Sequence, residues 1–137
     1  MTSPAAAPRV VAAVSREVQR RIRAILPGCE LHFVQTEEQL LRALDEARCD
    51  MLIVGSHFDE STAVAALERV LARGETFPVV CVRGMPFATK LGQRTVEALR
   101  MASSELGAPH FIDLLQYSDD EKGNARVRAM LARVLPQ

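Results

Sequence analysis

Tryptophan is absent from the sequence, tyrosine occurs once, and neither sign of charge is in excess, because 17 basic and 17 acidic residues cancel. Without a net positive charge, the chain lacks the usual electrostatic drive for nucleic-acid binding. Wholly apolar runs, such as Val10–Val14, fall far below the roughly 18 residues that a membrane-spanning helix needs. Aromatic residues make up only 4% of the chain, which gives flavin binding little support. We therefore expect neither a nucleic acid nor a membrane among the partners.

Cysteine is also scarce, and its count of three is odd. Cys29, Cys49 and Cys81 form no CxxC pair, which argues against a disulfide framework. Cys49 and Cys81 lie at or within apolar strand-like segments, where buried free thiols are common, so we expect structural cysteines. The segment Met1–Pro8 has neither the basic start nor the long apolar stretch of a signal peptide. This predicts a flexible amino-terminal segment over residues 1–8 and a cytoplasmic location.

Motifs for nucleotide binding and catalysis are missing as well. The sequence contains no Walker A motif and no G-x-G-x-x-G dinucleotide fingerprint. It has no G-x-S-x-G nucleophile elbow and no ligand pairs with the spacing of a zinc site. We therefore expect no cofactor, no metal and no enzymatic activity.

Two hydrophobic periods alternate along the chain instead. Continuous apolar segments with β-branched residues are typical of strands buried on both faces. The predicted strands are Val10–Val14, Leu31–Gln35, Met51–Val54, Pro78–Val82 and His110–Leu115. Each is followed by a segment with helical spacing of its apolar residues. The predicted helices lie at Arg16–Leu26, after Thr36, after Ser61 or Thr62, within Thr89–Leu106 and after Ser118.

Two capping boxes mark the beginnings of predicted helices. Thr36 and Gln39 have the spacing at which each side chain satisfies a free amide of the first turn, and Ser118 and Glu121 repeat it. The helix after Thr36 should turn one apolar face toward the core. That expected inward face consists of Leu40, Leu41, Leu44 and Ala47.

The five strand–helix repeats predict an α/β fold with a parallel sheet. Strands that are apolar on both faces need helices on both sides, and right-handed crossovers place them there. The expected architecture is a three-layer α/β/α sandwich. Five strands are too few for an eight-stranded barrel. Short connections and the lack of an internal linker predict one domain over residues 9–137.

Three segments carry a resemblance to a known family. Cys49–Val54 is similar to that family's approach to a phosphorylated aspartate, an aspartate followed by apolar residues. Pro78–Val82 is similar to its fourth strand, and Gly107-Ala108 with Phe111 fits the entry to its fifth. Over nearly its whole length, the chain resembles the receiver domain of bacterial response regulators. The resemblance implies a flavodoxin-like, five-stranded sheet in the order 2-1-3-4-5.

The positions that carry the family's chemistry differ in this chain. Those positions are Ser15, Arg16, Glu17, Gly55, Arg83 and Leu114. Where the family has two acidic residues that hold Mg²⁺, at most one carboxylate, Glu17, is available, and Arg16 beside it would oppose a metal that prefers carboxylate oxygens. Gly55 stands in place of the phosphoacceptor aspartate and has no side chain to accept a phosphoryl group. The resemblance therefore predicts a degenerate receiver, or pseudo-receiver, that works without phosphoryl transfer.

A candidate anion site lies near these positions. Ligands of open parallel sheets bind outside the carboxyl ends of the strands. Arginine forks match the geometry of phosphate and carboxylate groups, so Arg16, Ser56 and Arg83 together are candidate anion ligands. The alternative is that Arg83 pairs permanently inside the protein with Glu17 or Asp59.

The polar loop after the third predicted strand contains residue types that also occur in catalytic and metal sites. Ser56, His57 and Asp59 include the types of a hydrolytic triad, and His57, Asp59 and Glu60 include metal ligands. Closeness in sequence is not evidence for the geometry of a triad, and zinc sites usually have recognisable paired spacings. We interpret this segment as a solvated loop.

Other polar residues have simpler interpretations. His32 and His110 lie near strands, where we expect packed, hydrogen-bonded histidines. Two helices have arginine-rich faces, which we expect to be solvated. These arginines are Arg16, Arg20, Arg21 and Arg23 on the first helix and Arg126, Arg128 and Arg133 on the last.

The leading functional hypothesis is a signalling or regulatory module that acts through protein contacts, possible partners being another two-component signalling protein or a second copy of the chain. The resemblance suggests that pairing uses the face formed by the fourth helix, fifth strand and fifth helix, roughly residues 95–135. One alternative is a sensor of a small anion or nucleotide at the carboxyl edge of the sheet. A further alternative is an α/β enzyme that uses His57.

Overall fold

The computed structural model of the chain describes residues 7–56, 58, 63–84, 90–105 and 110–135, except for the side chains of residues 90–93, 95 and 96. Strands and helices alternate along these residues. The strands are β1 (Arg9–Ala13), β2 (Glu30–Val34), β3 (Met51–Gly55), β4 (Val79–Arg83) and β5 (His110–Asp113). The helices are α1 (Arg16–Ile25), α2 (Glu37–Glu46), α3 (Ala63–Ala72), α4 (Lys90–Glu105) and α5 (Glu121–Val134). A 3₁₀ turn, Leu114–Gln116, lies between β5 and α5.

The strands form one parallel sheet in the order β2-β1-β3-β4-β5. This order and the flanking helices confirm the predicted α/β architecture. The central strand β3 is buried along its whole length, as its continuous apolar sequence predicts. Since all strands run the same way, their carboxyl ends lie along one edge of the sheet.

Two apolar clusters cover opposite faces of the sheet. Successive residues of a strand point to opposite faces, so a strand covered on both sides must be apolar at every position. One cluster joins strand residues to α2, α3 and α4, and includes Val11, Leu52, Leu40, Leu67 and Leu99. The other joins the alternate strand residues to α1 and α5, and includes Val10, Ile53, Ile22, Val127 and Leu131.

Helix α2 begins where its capping sequence predicts. The Thr36 side chain accepts a hydrogen bond from the Gln39 amide, with the two atoms 3.1 Å apart. The Gln39 side chain reaches one residue further back than in the usual capping box, since its Oε1 accepts from the Gln35 amide at 2.8 Å. Both side chains therefore satisfy backbone donors at the start of the helix.

Helix α5 begins differently from the predicted Ser118–Glu121 box. The residue that caps the helix is Asp120, whose Oδ1 accepts from the Gly123 amide at 2.8 Å. Ser118 instead donates its hydroxyl to the same carboxylate oxygen, also at 2.8 Å. The cap expectation was wrong in detail because Asp120 lies closer to the helix and is itself a strong capping residue.

Two further expectations about these elements are wrong. Ala47, expected to face the core, is exposed because α2 ends at Glu46 and the chain becomes extended there; Ala43 is buried instead. Strand β5 ends at Asp113, before Leu114, where the 3₁₀ turn begins. The predicted cap residues Ser61 and Thr62 lie outside the described residues.

No helix in the described ranges is long and apolar enough to cross a membrane. All three cysteines are free thiols, of which Cys81 is buried and the other two are half-buried.

Candidate functional site

The carboxyl edge of the sheet brings the predicted positions into one region. Ser15 follows β1, Gly55 ends β3, Arg83 ends β4 and Leu114 follows β5. In the strand register, Gly55 lies opposite Val82, next to Arg83. The sequence alone supports this placement, because the carboxyl ends of neighbouring parallel strands meet at one edge.

Gly55 is packed against the connection between β1 and α1. A Cβ atom added to Gly55 would lie 3.2 Å from Val14 Cγ1 and 3.5 Å from Val14 Cβ. Val14 itself is fully buried. The space beside the end of β3 is therefore occupied by an apolar side chain. A carboxylate at position 55 would have to push Val14 aside and would be placed beside an apolar group.

Gly84 shows similar close packing beyond the end of β4. A Cβ atom added there would lie 2.7 Å from Val18 Cγ2 and 2.9 Å from Val18 Cγ1, closer than ordinary van der Waals contact. Val14, Val18 and Leu114 belong to the same buried cluster. Apolar side chains thus pack around this part of the edge.

Arg83 and Asp113 pair across the ends of β4 and β5. They are opposite each other in the strand register, and Arg83 Nη1 lies 3.5 Å from Asp113 Oδ2. The other carboxylate oxygen accepts from the Leu115 amide at 3.0 Å. Arg83 does pair internally, but its partner is Asp113 and not Glu17, because Asp113 is its direct neighbour on the adjacent strand; Asp59 lies outside the described residues.

The three candidate anion ligands have different surroundings. Arg16 is exposed at the start of α1, whereas Ser56 is buried and its amide donates to the Val82 carbonyl at 2.9 Å. Arg83 is half-buried and engaged by Asp113, while its Nε is buried and has no hydrogen-bond partner among the residues that the structure describes. An anion site built from these residues stays a prediction.

Metal binding also lacks a cluster in the part of the chain that the structure describes. No group of three or more His, Cys, Asp or Glu residues is placed there to hold a metal ion. Glu17 is exposed beside Arg16. His57, Asp59 and Glu60 lie outside the described residues, so the interpretation of their segment as a solvated loop stays a prediction.

Neither a family model nor a curated protein sequence matches the chain. Solved structures do match it. A response regulator receiver protein from Burkholderia phymatum has a TM-score of 0.64 at 20% identity, covering 95% of this chain and 99% of that one. The chemotaxis protein CheY4 of Vibrio cholerae has a TM-score of 0.68 at 15% identity, covering 96% of this chain and 100% of that one. The chain has the receiver fold.

A third structure with this fold is the signal receiver domain of an HD domain-containing protein from Pseudomonas fluorescens Pf-5. It has a TM-score of 0.68 at 15% identity, covering 93% of this chain and 94% of that one. Identities this low show a shared receiver fold and no more. The chemistry of this chain must therefore be argued from its own residues.

Within the receiver fold, Arg21 joins α1 to the segment that leads into α5. Its Nη1 donates to the Leu114 carbonyl at 2.7 Å, and its Nη2 donates to the carbonyls of Tyr117 and Ser118 at 2.8 and 3.0 Å. Its Nε donates to Asn124 Oδ1 at 3.2 Å. Arg21 is therefore buried, and the expectation that it lies on a solvated face was wrong. The missed signal is its position beside Ile22 in the apolar stripe of the helix.

Arg128 of α5 makes the reciprocal contacts with α1. Its Nε donates to the Ile25 carbonyl at 2.6 Å, and its Nη2 donates to the Ala24 carbonyl at 3.0 Å. A cation at the last carbonyls of a helix also interacts favourably with the helix dipole. Arg128 therefore belongs to the α1–α5 junction, contrary to the expected solvated face.

The histidines differ from expectation as well. His32 and His110 are exposed, although we expected them to be packed. They lie on β2 and β5, the two edge strands of the sheet. An edge strand has a neighbour on one side only, so its side chains are less covered than those of β3.

The cysteines have little nucleophilic character. Burial raises the pKa of the Cys81 thiol to about 12, although a hydrogen bond with Ser103 lowers it. Burial is also the main cause that raises the pKa values of Cys29 and Cys49. Since the thiolate is the reactive form, these side chains fit the structural role that the sequence predicts.

A groove that sequence reasoning missed lies between the 3₁₀ turn and α5. Its volume is about 540 Å³, and its lining residues are Gln116, Tyr117, Arg126, Ala129, Met130 and Arg133. A smaller groove of about 310 Å³ lies beside β2 and α2, lined by His32, Phe33, Val34, Gln39, Arg42, Ala43 and Glu46. The available signal in the sequence concerned only the basic rim of the larger groove, because Arg126 and Arg133 lie seven positions apart on one predicted helix.

Proposed function

We propose that this chain is a receiver-like regulatory module that acts through protein contacts and cannot be phosphorylated at the usual position. The observation that carries the proposal is Gly55 at the carboxyl end of β3, with buried Val14 packed against it. A glycine offers no oxygen for a phosphoryl group, and the adjacent space is apolar.

The neighbouring positions support the same proposal. Glu17 and the positive charge of Arg16 lie side by side, which is a poor arrangement for Mg²⁺. Leu114 stands approximately where the family has its lysine, and it is fully buried in the apolar cluster. We propose that this edge has a packing role in place of a chemical one.

A module without phosphorylation needs another way to hold the conformation that its partner recognises. The Arg83–Asp113 pair does not depend on a phosphoryl group. Arg21 and Arg128 tie α1 to α5 and to the segment before it. We propose that the chain holds one conformation in the cytoplasm and presents the face of α4, β5 and α5 to a partner, which is another signalling protein or a second copy.

A second candidate function is the binding of a small anion or nucleotide at the carboxyl edge. It is favoured by the Nε of Arg83, which is buried and finds no hydrogen-bond acceptor within the described part of the chain. A buried donor without an acceptor is costly, and an anion would satisfy it. If this candidate is correct, phosphate or a nucleotide should raise Tm, and Arg83→Ala should remove that shift.

Acetyl phosphate and fluoroberyllate test the main proposal. With Mg²⁺ present, we expect no mass increase by one phosphoryl group in intact mass spectrometry and no rise in Tm with fluoroberyllate. Gly55→Asp is the matched variant, and it should lower stability by about 1–3 kcal/mol because the new carboxylate lies against Val14. A phosphoryl adduct on the wild-type chain would overturn the proposal.

The proposal that the chain acts through protein contacts is tested by a separate measurement. Light scattering coupled to size-exclusion chromatography over a range of concentrations shows whether two copies of the chain associate. Cross-linking then identifies the surface through which they make contact. We expect any dimer to be weakened by charge substitutions on exposed positions of α4 or α5, such as Glu97→Arg. If none of these substitutions weakens the dimer, this face is not the dimer interface and that part of the proposal is wrong.

A further inference from the structure

We infer that the groove between the 3₁₀ turn and α5 binds an acidic segment of a partner protein, with an apolar side chain seated between carboxylates. The inference rests on the proposed function, because it states the chemistry of the partner. The volume of the groove, about 540 Å³, is enough for one or two side chains and not for a domain.

The floor of the groove has apolar and polarisable groups. Tyr117 and Met130 are half-buried, and the Tyr117 hydroxyl lies 3.7 Å from Met130 Sδ, to which it donates. Ala129 adds a small side chain beside them. Methionine and aromatic side chains adapt to apolar ligand groups of several shapes. The floor therefore suits a leucine-like or aromatic anchor.

The rim of the groove is positively charged. Arg126 and Arg133 are exposed, and no carboxylate in the described ranges lies within ion-pair distance of either. They are seven positions apart on α5, which corresponds to about 10 Å along a helix. Arginine forks match carboxylates. The complementary ligand therefore has two acidic groups about that far apart.

Several other arginines of the described chain are already engaged. Arg9 donates to carbonyls at the end of α2, Arg23 lies over the Phe33 ring, and Arg73 pairs with Asp45 and Glu75. Arg126 and Arg133 have no such partner among the described residues and lie beside the same groove, which sets this surface apart from the surroundings of those engaged arginines.

The groove is held in place from below. Arg21 donates to the backbone carbonyls of Tyr117 and Ser118 and to Asn124 of α5. These contacts fix the Tyr117 backbone relative to the helix that carries Arg126 and Arg133. A site that does not need to be ordered on binding loses less entropy. The observations favour an acidic peptide over a nucleic acid, because the chain has no net positive charge and only one tyrosine here for base stacking.

The test is selection from a random 16-residue phage-displayed peptide library on the immobilised full chain. We expect the enriched peptides to be acidic and to carry an apolar residue between the acidic positions. Fluorescence anisotropy of an enriched peptide should then show at least about tenfold weaker binding to the Arg126→Glu, Arg133→Glu double variant, which corresponds to about 1.4 kcal/mol. Raised salt should also weaken binding.

Arg16→Glu is the single-site control, since Arg16 is exposed, lies on α1 and undergoes the same substitution as each groove arginine, with half the total charge change of the double variant. It should leave peptide affinity within about twofold, because distant surface charges are screened. Circular dichroism and Tm confirm that the variants are folded. Enrichment of neutral or basic peptides, no enrichment, or unchanged binding to the double variant would each overturn the inference.

The inference and the proposed function fail in distinguishable ways. If light scattering shows a dimer or cross-linking finds a partner on α4, while no acidic peptide binds, the inference fails and protein contact remains. If acetyl phosphate gives a phosphoryl adduct, the proposed function fails whatever the peptide selection shows.

Discussion

Helix α5 uses arginine in opposite ways on its two sides. Toward α1, Arg128 donates to the Ile25 and Ala24 carbonyls, while Arg21 donates from α1 into the segment before α5. Toward the groove, Arg126 and Arg133 have no carboxylate or carbonyl partner within the described parts of the chain. The role of an arginine on this helix therefore depends on the acceptors that the fold places opposite it. One side stabilises the protein and the other is left for a ligand.

Of the substitutions at the contacts between α1 and α5, Arg21→Ala should lower the stability of the protein most. It leaves the Leu114, Tyr117 and Ser118 carbonyls without their buried donor, so the free energy of unfolding should fall by about 3 kcal/mol or more. Urea denaturation followed by circular dichroism measures this loss. Arg21→Lys should recover only part of it, because an ammonium group cannot reach all the acceptors.

A neighbouring arginine provides the control for Arg21. Arg20 pairs with Asp119, but its side chain is 71% exposed. Arg20→Ala should therefore cost less than about 1 kcal/mol. Equal losses for Arg20→Ala and Arg21→Ala would contradict the structural role given to the buried contacts.

The substitution Arg128→Ala measures how much α5 contributes to the contacts between α1 and α5. It removes two hydrogen bonds to the last carbonyls of α1 from a side chain that is only partly exposed, so we expect a loss of about 1 kcal/mol. The same urea denaturation measures it. Arg128→Lys keeps the favourable charge near the helix end and should lose less. A loss as large as that of Arg21→Ala would mean that the junction depends equally on both arginines.

The cap at the start of α5 should make the stability of the protein depend on pH. Hydrogen bonds from the Gly123 amide and then the Ser118 hydroxyl hold the pKa of the Asp120 carboxyl below its usual value. Because the folded-state pKa is lowered, this contribution is present above the unfolded pKa and is lost as pH falls through the folded pKa. Tm should therefore fall less steeply in acid for Asp120→Asn, which keeps a capping side chain, than for the wild type. Parallel Tm curves would contradict this.

The groove side should show the smallest effect on stability. Arg126→Ala combined with Arg133→Ala should change the free energy of unfolding by less than about 0.5 kcal/mol per site, since both side chains are exposed and neither has an ion-pair or hydrogen-bond partner in the described ranges. Urea denaturation of the double variant measures this. A loss comparable to that of Arg128→Ala would mean that both sides of α5 are structural, and the comparison would no longer hold.

The sequence predicts regular features well where local rules and packing agree. The continuous apolar segment Met51–Val54 predicts β3, and Thr36 with Gln39 predicts the start of α2. The prediction for β5 extended too far because Leu114 is apolar and fully buried in a 3₁₀ turn, just as a strand residue would be. Hydrophobicity alone does not distinguish these two backbone conformations.

The candidate site was predictable only in part. Gly55 and Arg83 come to the carboxyl edge because strand order and direction require it. The pairing of Arg83 with Asp113 depends on the register between β4 and β5, which a sequence pattern does not specify. The packing of Val14 against Gly55 and of Val18 against Gly84 depends on distances between segments that are far apart in sequence.

The alternation of strands and helices, the parallel sheet and the glycine at position 55 can all be read from the amino-acid sequence. These follow from local hydrophobic period, capping and residue identity, which need no knowledge of distant segments. Packing between distant segments sets which arginines are buried, which acceptors they reach, and which two lie beside the groove on α5 with no partner among the described residues. The physical reason is that the charged guanidinium group can be solvated at the surface, while the long side chain can also reach a buried carbonyl. The neighbours that the fold supplies select between these outcomes.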